Sequence, residues 1–275
     1  MKRILAAAGA ADLGLEAVKG LARAERDHLV GCRLVSPDFQ WNEPARALLM
    51  DSARSVSIMV NEEDHVRAQA LTAGWSIEAA EAAAGAAVGA LSDRLPMSRH
   101  PRFGFLSASP FNCGVGRRLS CMMHLIGLAN SRRLPDVLKA LNVKGLTARG
   151  LFGESSRAVG AFLQVSVISL PKAEFVGAVD YLIREERLAR QGSVDVLTEK
   201  ANQARELIER SRTLSAVEAL RLLGWIRWAS GHGLAWAPAQ VRAVDQYLTT
   251  VDIRPDEAGR VRAAERADAL RKMLP

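Results

Sequence analysis

Cysteine is scarce in this 275-residue chain, and its three copies are poorly spaced for metal or crosslink chemistry. Cys32, Cys113 and Cys121 form neither a disulfide framework nor a Cys-x-x-Cys motif. A reducing compartment, the cytoplasm, is the natural expectation. Long hydrophobic runs are missing as well. No stretch approaches the roughly 18 apolar residues of a transmembrane helix, which sets a membrane-spanning role aside. The opening Met1-Lys2-Arg3-Ile4-Leu5 is followed by small residues, but the run meets Asp12 too soon to read as a secretory leader. There is no internal repeat, no low-complexity tract and no aromatic-basic recognition motif, which argues against nucleic acid as the partner. The remainder is ordinary for a globular protein, with 49% hydrophobic and 24% charged residues. A net charge of +7 suits anionic partners such as nucleotide phosphates, and it equally suits a coding bias toward Arg and Ala.

The pattern of apolar residues predicts a strand-rich core layered with helices rather than an alternating parallel sheet. Residues 1 to 30 read as an Ala-rich helix weakened by Gly9, Gly14 and Gly20, and Leu34-Val35-Ser36-Pro37 breaks it. Strands are expected at 55–60, 104–108, 146–151 and 162–169. The first of these, Val56-Ser57-Ile58-Met59-Val60, alternates as a strand with one buried face would. A helix is expected from Ser76, its N-cap, to Leu91. Another is expected after Arg118, where Met122, Leu125 and Leu128 recur with His124 in their midst as a satisfied core histidine. A third follows Pro171. From about Gly192 the character is helical throughout, with Ser215-x-x-Glu218 as a capping box and helices near 238–249 and 256–273. Two domains are expected, 1–192 mixed and 193–275 helical.

Three segments carry the chemistry. At the end of the 55–60 strand, Asn61-Glu62-Glu63-Asp64-His65-Val66-Arg67 gathers three carboxylates, an imidazole and a guanidinium, more charge than a surface strand needs. Phe105 to Arg118 runs from a strand into a turn bearing Asn112, Gly114 and Gly116. Thr147 to Gln164 contains Arg149-Gly150 and Gly153-Glu154. In order and spacing these resemble the NEEDHxR segment, the Cys-Pro-Thr-Asn-x-Gly-x-Gly-x-Arg turn and the RGxxGEGSEAxGNxFQ segment of the ATP:guanidino phosphotransferases. That is the family of creatine and arginine kinases, and the chain most resembles its bacterial protein-arginine kinase branch over roughly residues 25 to 270.

The resemblance implies an α+β fold, an antiparallel β-sheet flanked by helices, with a helical C-terminal domain that forms a homodimer. It implies ATP and Mg2+ as cofactors and protein arginine side chains as acceptor. Phosphoryl transfer asks for charge neutralisation and in-line positioning more than for covalent chemistry. Two carboxylates can clamp a planar guanidinium through paired hydrogen bonds and accept its proton. Glu63 and Glu154 occupy the family's substrate-carboxylate positions, with Glu63 as the base. Arg67, Arg118 and Arg149 occupy positions that hold nucleotide phosphates in the family, the alternative for each alone being a surface ion pair. His65 either touches the nucleotide or makes a hydrogen bond that stabilises its own motif. Asn112, Gly114 and Gly116 let backbone approach the ligand. No dedicated metal cage is visible, and magnesium often needs few protein ligands.

Four departures accompany the likeness. The family's N-terminal helical domain and its Ser-x-Arg-x-Arg segment have no counterpart before Asp51, so the chain starts inside the family layout. The turn's cysteine is Ser109 here, and the neighbouring threonine is Phe111. The Arg-Asp pair that reads phosphoarginine falls on Ala258-Gly259. These departures keep open an alternative, a catalytically degenerate relative that binds nucleotide or protein.

Overall fold

The structure is a computed structural model that describes residues 1–11, 14–150, 158–168, 170–239, 241–249 and 259–274, with the side chains of 259–261 excepted. It is α+β with antiparallel sheets, and it divides into two compact units, Met1–Gly116 and Arg117–Pro275.

The first unit begins with α1 (Lys2–Ala10), β1 (Leu15–Val18) and α2 (Arg23–Gly31). The single helix expected over residues 1–30 is therefore three elements. The physical reason lies in the glycines: Gly14 and Gly20 take φ of +62° and +65°, a left-handed backbone that ends helices, and they bracket β1. β2 (Ala47–Asp51), β3 (Val56–Val60) and β4 (Val66–Ala70) follow, and the four strands form one antiparallel meander in chain order. After it come α3 (Ile77–Ser92) and a short ribbon of β5 (Arg99–His100) and β6 (Gly104–Phe105). Ser76 holds the expected N-cap position of α3, but its side chain makes no capping hydrogen bond.

The meander is covered on both faces. Ile58 and Val60 of β3 pack with Leu49 of β2, Ile4, Ala7 and Ala8 of α1, and Ala87 and Leu91 of α3. Met59 faces the other way and packs with Leu48, Met50, Leu29 and the Leu34–Phe39 segment. Val56–Val60 is thus not a half-buried strand, as its alternation suggested. Even Ser57 is fully buried, its hydroxyl donating to the Leu34 carbonyl at 2.6 Å. A small hydroxyl satisfied by backbone is cheap to bury, so polarity alone did not mark an exposed face.

The second unit holds β7 (Leu119–His124), α4 (Ile126–Asn130), α5 (Leu134–Val143), β8 (Thr147–Gly150) and β9 (Phe162–Val167). It continues with α6 (Lys172–Gln191), α7 (Val194–Arg210), α8 (Ala216–His232), α9 (Val241–Leu248) and α10 (Gly259–Met273). Its sheet has the order β7-β9-β8, antiparallel throughout. The helix expected after Arg118 is a strand. Leu119 and Met123 point inward while Ser120 and Met122 are exposed, a period of two, and β9 supplies the ladder. The helical residues Ile126–Asn130 come only afterwards.

The division expected at residue 192 falls inside this unit. Phe162 of β9 packs with Ala204 and Ile208 of α7, Leu220 and Leu223 of α8, Val244 of α9 and Leu270 of α10. Two glycines make the contact intimate. A Cβ on Gly160 (φ +65°) would collide with the Leu220 carbonyl oxygen, and one on Gly224 with the Gly160 carbonyl oxygen. Helix α8 opens on the expected capping box: Ser215 Oγ accepts the Glu218 N–H at 3.2 Å, and the Glu218 carboxylate accepts the Ser215 N–H at 2.8 Å. Among the described residues no helix is long and apolar enough to cross a membrane.

Candidate active-site elements

Residues 61–65 form the tight connection between β3 and β4, closed by the Asn61 N–H donating to the His65 carbonyl at 3.1 Å. Asn61 carries a φ of +54°, and asparagine tolerates this left-handed conformation better than most residues. Its side chain does two further things. Nδ2 donates to the Ala45 carbonyl at 2.8 Å, and Oδ1 lies 3.0 Å from His65 Nδ1. His65 therefore makes a bond within its own motif.

The three acids of the turn differ in their surroundings. Glu62, with its side chain 9% exposed, pairs with Arg67 of β4 at 3.3 Å. Asp64 reaches the loop after β6, where it meets Ser107 Oγ at 2.9 Å and the Ala108 N–H at 2.7 Å. Glu63, between them, is exposed and makes no hydrogen bond or ion pair within its unit among the described residues. A carboxylate so placed, on a turn whose neighbours are tied down, is free to accept a ligand.

The second loop of the unit is equally constrained. Phe105 and Gly114 exchange backbone hydrogen bonds of 2.7 and 3.0 Å, and between them Pro110–Asn112 makes a single 3-10 turn. The strand expected over 104–108 therefore covers only Gly104–Phe105 before the chain turns away. Gly114 and Gly116 both lie at positive φ (142° and 64°), a backbone that L side chains rarely adopt. Asn112 closes the turn by donating its N–H to the Ser109 carbonyl at 3.0 Å. Phe111, in the place of the family's threonine, is 90% exposed.

In the second unit the strand register places polar side chains in rows. Ser120 of β7, Ser166 of β9 and Thr147 of β8 align, and the next row is Met122, Gln164 and Arg149. Side chains two apart share a face, so Arg149 belongs with Ser166 and with the Arg118 position just before β7. Arg118 Nη2 donates to Ser166 Oγ at 2.9 Å, and the same oxygen lies 3.0 Å from Ser120 Oγ. Cationic donors along one sheet face suit polyphosphate recognition. Glu154 lies outside the described residues, as does the 250–258 stretch, which carries Ala258 at the first position of the family's Arg-Asp pair.

His124 ends β7 rather than sitting on a helix. It is buried and stacked on Phe162 at 4.6 Å. Neither ring nitrogen has a hydrogen-bond partner among the described residues, so the expectation of a satisfied core histidine is half corrected. Burial first, then the Arg227 and Arg190 charges, push its pKa well below the usual imidazole value, against a weaker opposing effect of the Gly160 backbone.

Sequence reasoning put Glu63, His65, Arg67, Asn112, Arg118 and Arg149 in one domain, 1–192, whereas the first four lie in the first unit and the last two in the second. It missed the ties that hold them, Glu62 to Arg67, Asp64 to Ser107 and Arg118 to Ser166. Those partners lie 5, 43 and 48 residues apart, and no periodicity links the last two pairs.

Comparison with known proteins identifies the family. The profile of the ATP:guanido phosphotransferase C-terminal catalytic domain matches residues 4–180. A protein-arginine kinase of Shouchella clausii is 35% identical over 222 residues, which are 77% of this chain and 62% of that one. A protein-arginine kinase of Moorella thermoacetica is 35% identical over 248 residues, 86% of this chain and 69% of the relative. The chain thus spans a little over three-fifths of the Shouchella relative's length. Among solved structures, lombricine kinase aligns with a TM-score of 0.58 and 22% identity, covering 69% of this chain and 60% of that one. The duplicated taurocyamine kinase of Schistosoma mansoni aligns at 0.54 with 18% identity, covering 80% of this chain and 35% of the other. At those identities the two structures speak for the fold alone.

Proposed function

We propose, for a chain that belongs to the ATP:guanido phosphotransferase family, that it moves the γ-phosphoryl group of ATP onto a guanidino group, with arginine side chains of proteins as the acceptor. The observation that carries the reading is Glu63. It is an exposed carboxylate at the tip of a hairpin fixed on both sides, within the Asn61–Arg67 segment that resembles the family's NEEDHxR motif. Two assigned relatives bearing the name protein-arginine kinase support the choice of acceptor.

In this reading Glu63 hydrogen-bonds the acceptor guanidinium, orients one nitrogen toward the phosphorus and takes up its proton as the N–P bond forms and the bond to ADP breaks. Glu154 supplies the second carboxylate of the clamp. Arg67, Arg118 and Arg149 neutralise the phosphates as negative charge shifts to the leaving oxygens, which is the largest demand of such a reaction. His65 and Asn112 line the nucleotide side. Arg67 exchanges its Glu62 partner for phosphate. Magnesium held mainly by phosphate oxygens and water would add charge neutralisation, and an ion bound that way asks little of the protein's own donors. The cytoplasm is the proposed compartment, and a homodimer through the helical C-terminal segment the proposed assembly.

The test is incubation of the chain with γ-labelled ATP, Mg2+ and an arginine-rich protein, followed by mild acid. A phosphoramidate is lost in acid and kept in alkali, whereas a phosphoserine survives acid. Acid-stable label, or none, removes the proposal. A second reading, a nucleotide-binding relative without transfer activity, draws on Ser109, which cannot supply the thiolate of the family's turn. It predicts stabilisation by ATP with no incorporation of label.

A further inference from the structure

Asp64 takes no part in the roles assigned above, yet its contacts are the most deliberate of the turn. Its carboxylate spans 43 residues of sequence to accept from Ser107 Oγ at 2.9 Å, and it accepts from the Ala108 N–H at 2.7 Å. Hydrogen bonds to an ionised acceptor are the stronger kind, and two on one carboxylate fix its orientation. The far side is itself a closed loop. Ser107 Oγ accepts the Ser109 N–H at 3.3 Å, the Ser107 N–H points at Cys113 Sγ at 3.4 Å, and the Asn112 N–H returns to Ser109. Asp64 is joined by one peptide bond to Glu63, and Ala108 by one to Ser109.

We propose that Asp64 is a positioning residue: it anchors the 106–113 loop to the β3–β4 turn and so fixes the placement of Ser109 and Asn112 relative to Glu63. The inference rests on the phosphotransfer reading. With both oxygens engaged, Asp64 is not the proton acceptor. Its role is to keep the acceptor nitrogen and the base in register, and misplacement by about 1 Å can cost roughly 100-fold in rate.

The full chain is assayed with ATP, Mg2+ and an arginine-rich protein. Asp64→Ala should lower kcat about 10- to 100-fold, leave the KM for ATP within about threefold and barely move the thermal midpoint. Asp64→Asn can accept from Ala108 through its oxygen and donate to Ser107 through its amide, and it should recover most of the lost kcat. Ser107→Ala removes one of the two ties and should fall between wild type and Asp64→Ala. Hydrogen exchange should show the Ala108 amide losing protection in Asp64→Ala while β1–β4 stay unchanged. A kcat within about twofold of wild type in Asp64→Ala overturns the proposal. So does a joint collapse of kcat, ATP affinity and thermal midpoint that Asp64→Asn does not rescue, since that is the mark of a purely structural tie. If the wild-type chain transfers no phosphoryl group, the phosphotransfer reading fails first. The exchange arm then judges the anchor separately, and unchanged Ala108 protection refutes it.

Discussion

Glu63 is separated from its neighbouring acids by what those neighbours touch, and that separation is testable. Glu63→Gln keeps the shape of the side chain and removes its capacity to take a proton. Label transfer to arginine should fall at least about 100-fold, as expected for loss of a general base. The shift in melting temperature with ATP should persist, because the arginines proposed to hold the phosphates are untouched. His124 gives a pH prediction. Its folded pKa lies below the ordinary 6.5, so between those two values the unfolded chain holds a proton that the folded chain rejects. Stability is therefore complete above about pH 6.5 and declines as the pH falls below it. Melting temperatures measured from pH 7.5 down to 5.5 should show this slope, and His124→Phe, which keeps the stack on Phe162, should flatten it. Two carboxylates act in a separate, more acid window. Burial works against ionisation of Asp51, but hydrogen bonds from Val56 and Ser55 outweigh it, and those from Ser215 hold Glu218 low. Their contributions are lost only as the pH falls through depressed values under 3.8 and 4.5.

At the scale of the element, legibility depended on how loudly each strand or helix announced its period. β3 and β9 combine β-branched or large apolar residues with clear stops, and α6 and α8 carry Pro171 and the Ser215 box. β7 misled because Leu119, Met122, Met123, Leu125 and Leu128 fit a helical spacing as well as an alternating one. The decisive partner, β9, lies 38 to 48 residues further along the chain, from His124↔Phe162 to Leu119↔Val167. β1 and β4 are short, and alanine is a poor strand former, so neither rises above its surroundings. The site's letters were legible because they are local, whereas its clamps were not, because they join distant loops. Two substitutions test the element-level account. Ser215→Ala should cost about 1 kcal/mol by opening the cap of α8. Gly160→Ala should cost more, on the order of 3 kcal/mol, because it adds a Cβ to a left-handed residue and drives it into the backbone of α8. Thermal melts should rank the two in that order, with Gly224→Ala resembling Gly160→Ala.

For the whole molecule, ligand and charge are the relevant levers. ATP binding only to the folded chain should raise its stability by about 2.7 kcal/mol at a concentration 100 times the Kd, visible as a rise in melting temperature. A double substitution of Arg118 and Arg149 to Ala should remove most of that rise. With a net charge of +7, capture of anionic ligands should weaken between low salt and about 0.5 M salt. The doubly covered β3 has a consequence for how the proposed activity would drift under mutation. The tip that carries Glu63 is cantilevered from a strand whose residues 57–60 are fully buried, so its aim is inherited from packing beneath it. Second-site suppressors of a weakened Glu63 neighbourhood should surface deep under the sheet, at positions such as Ser57 and Met59, more often than along the rim.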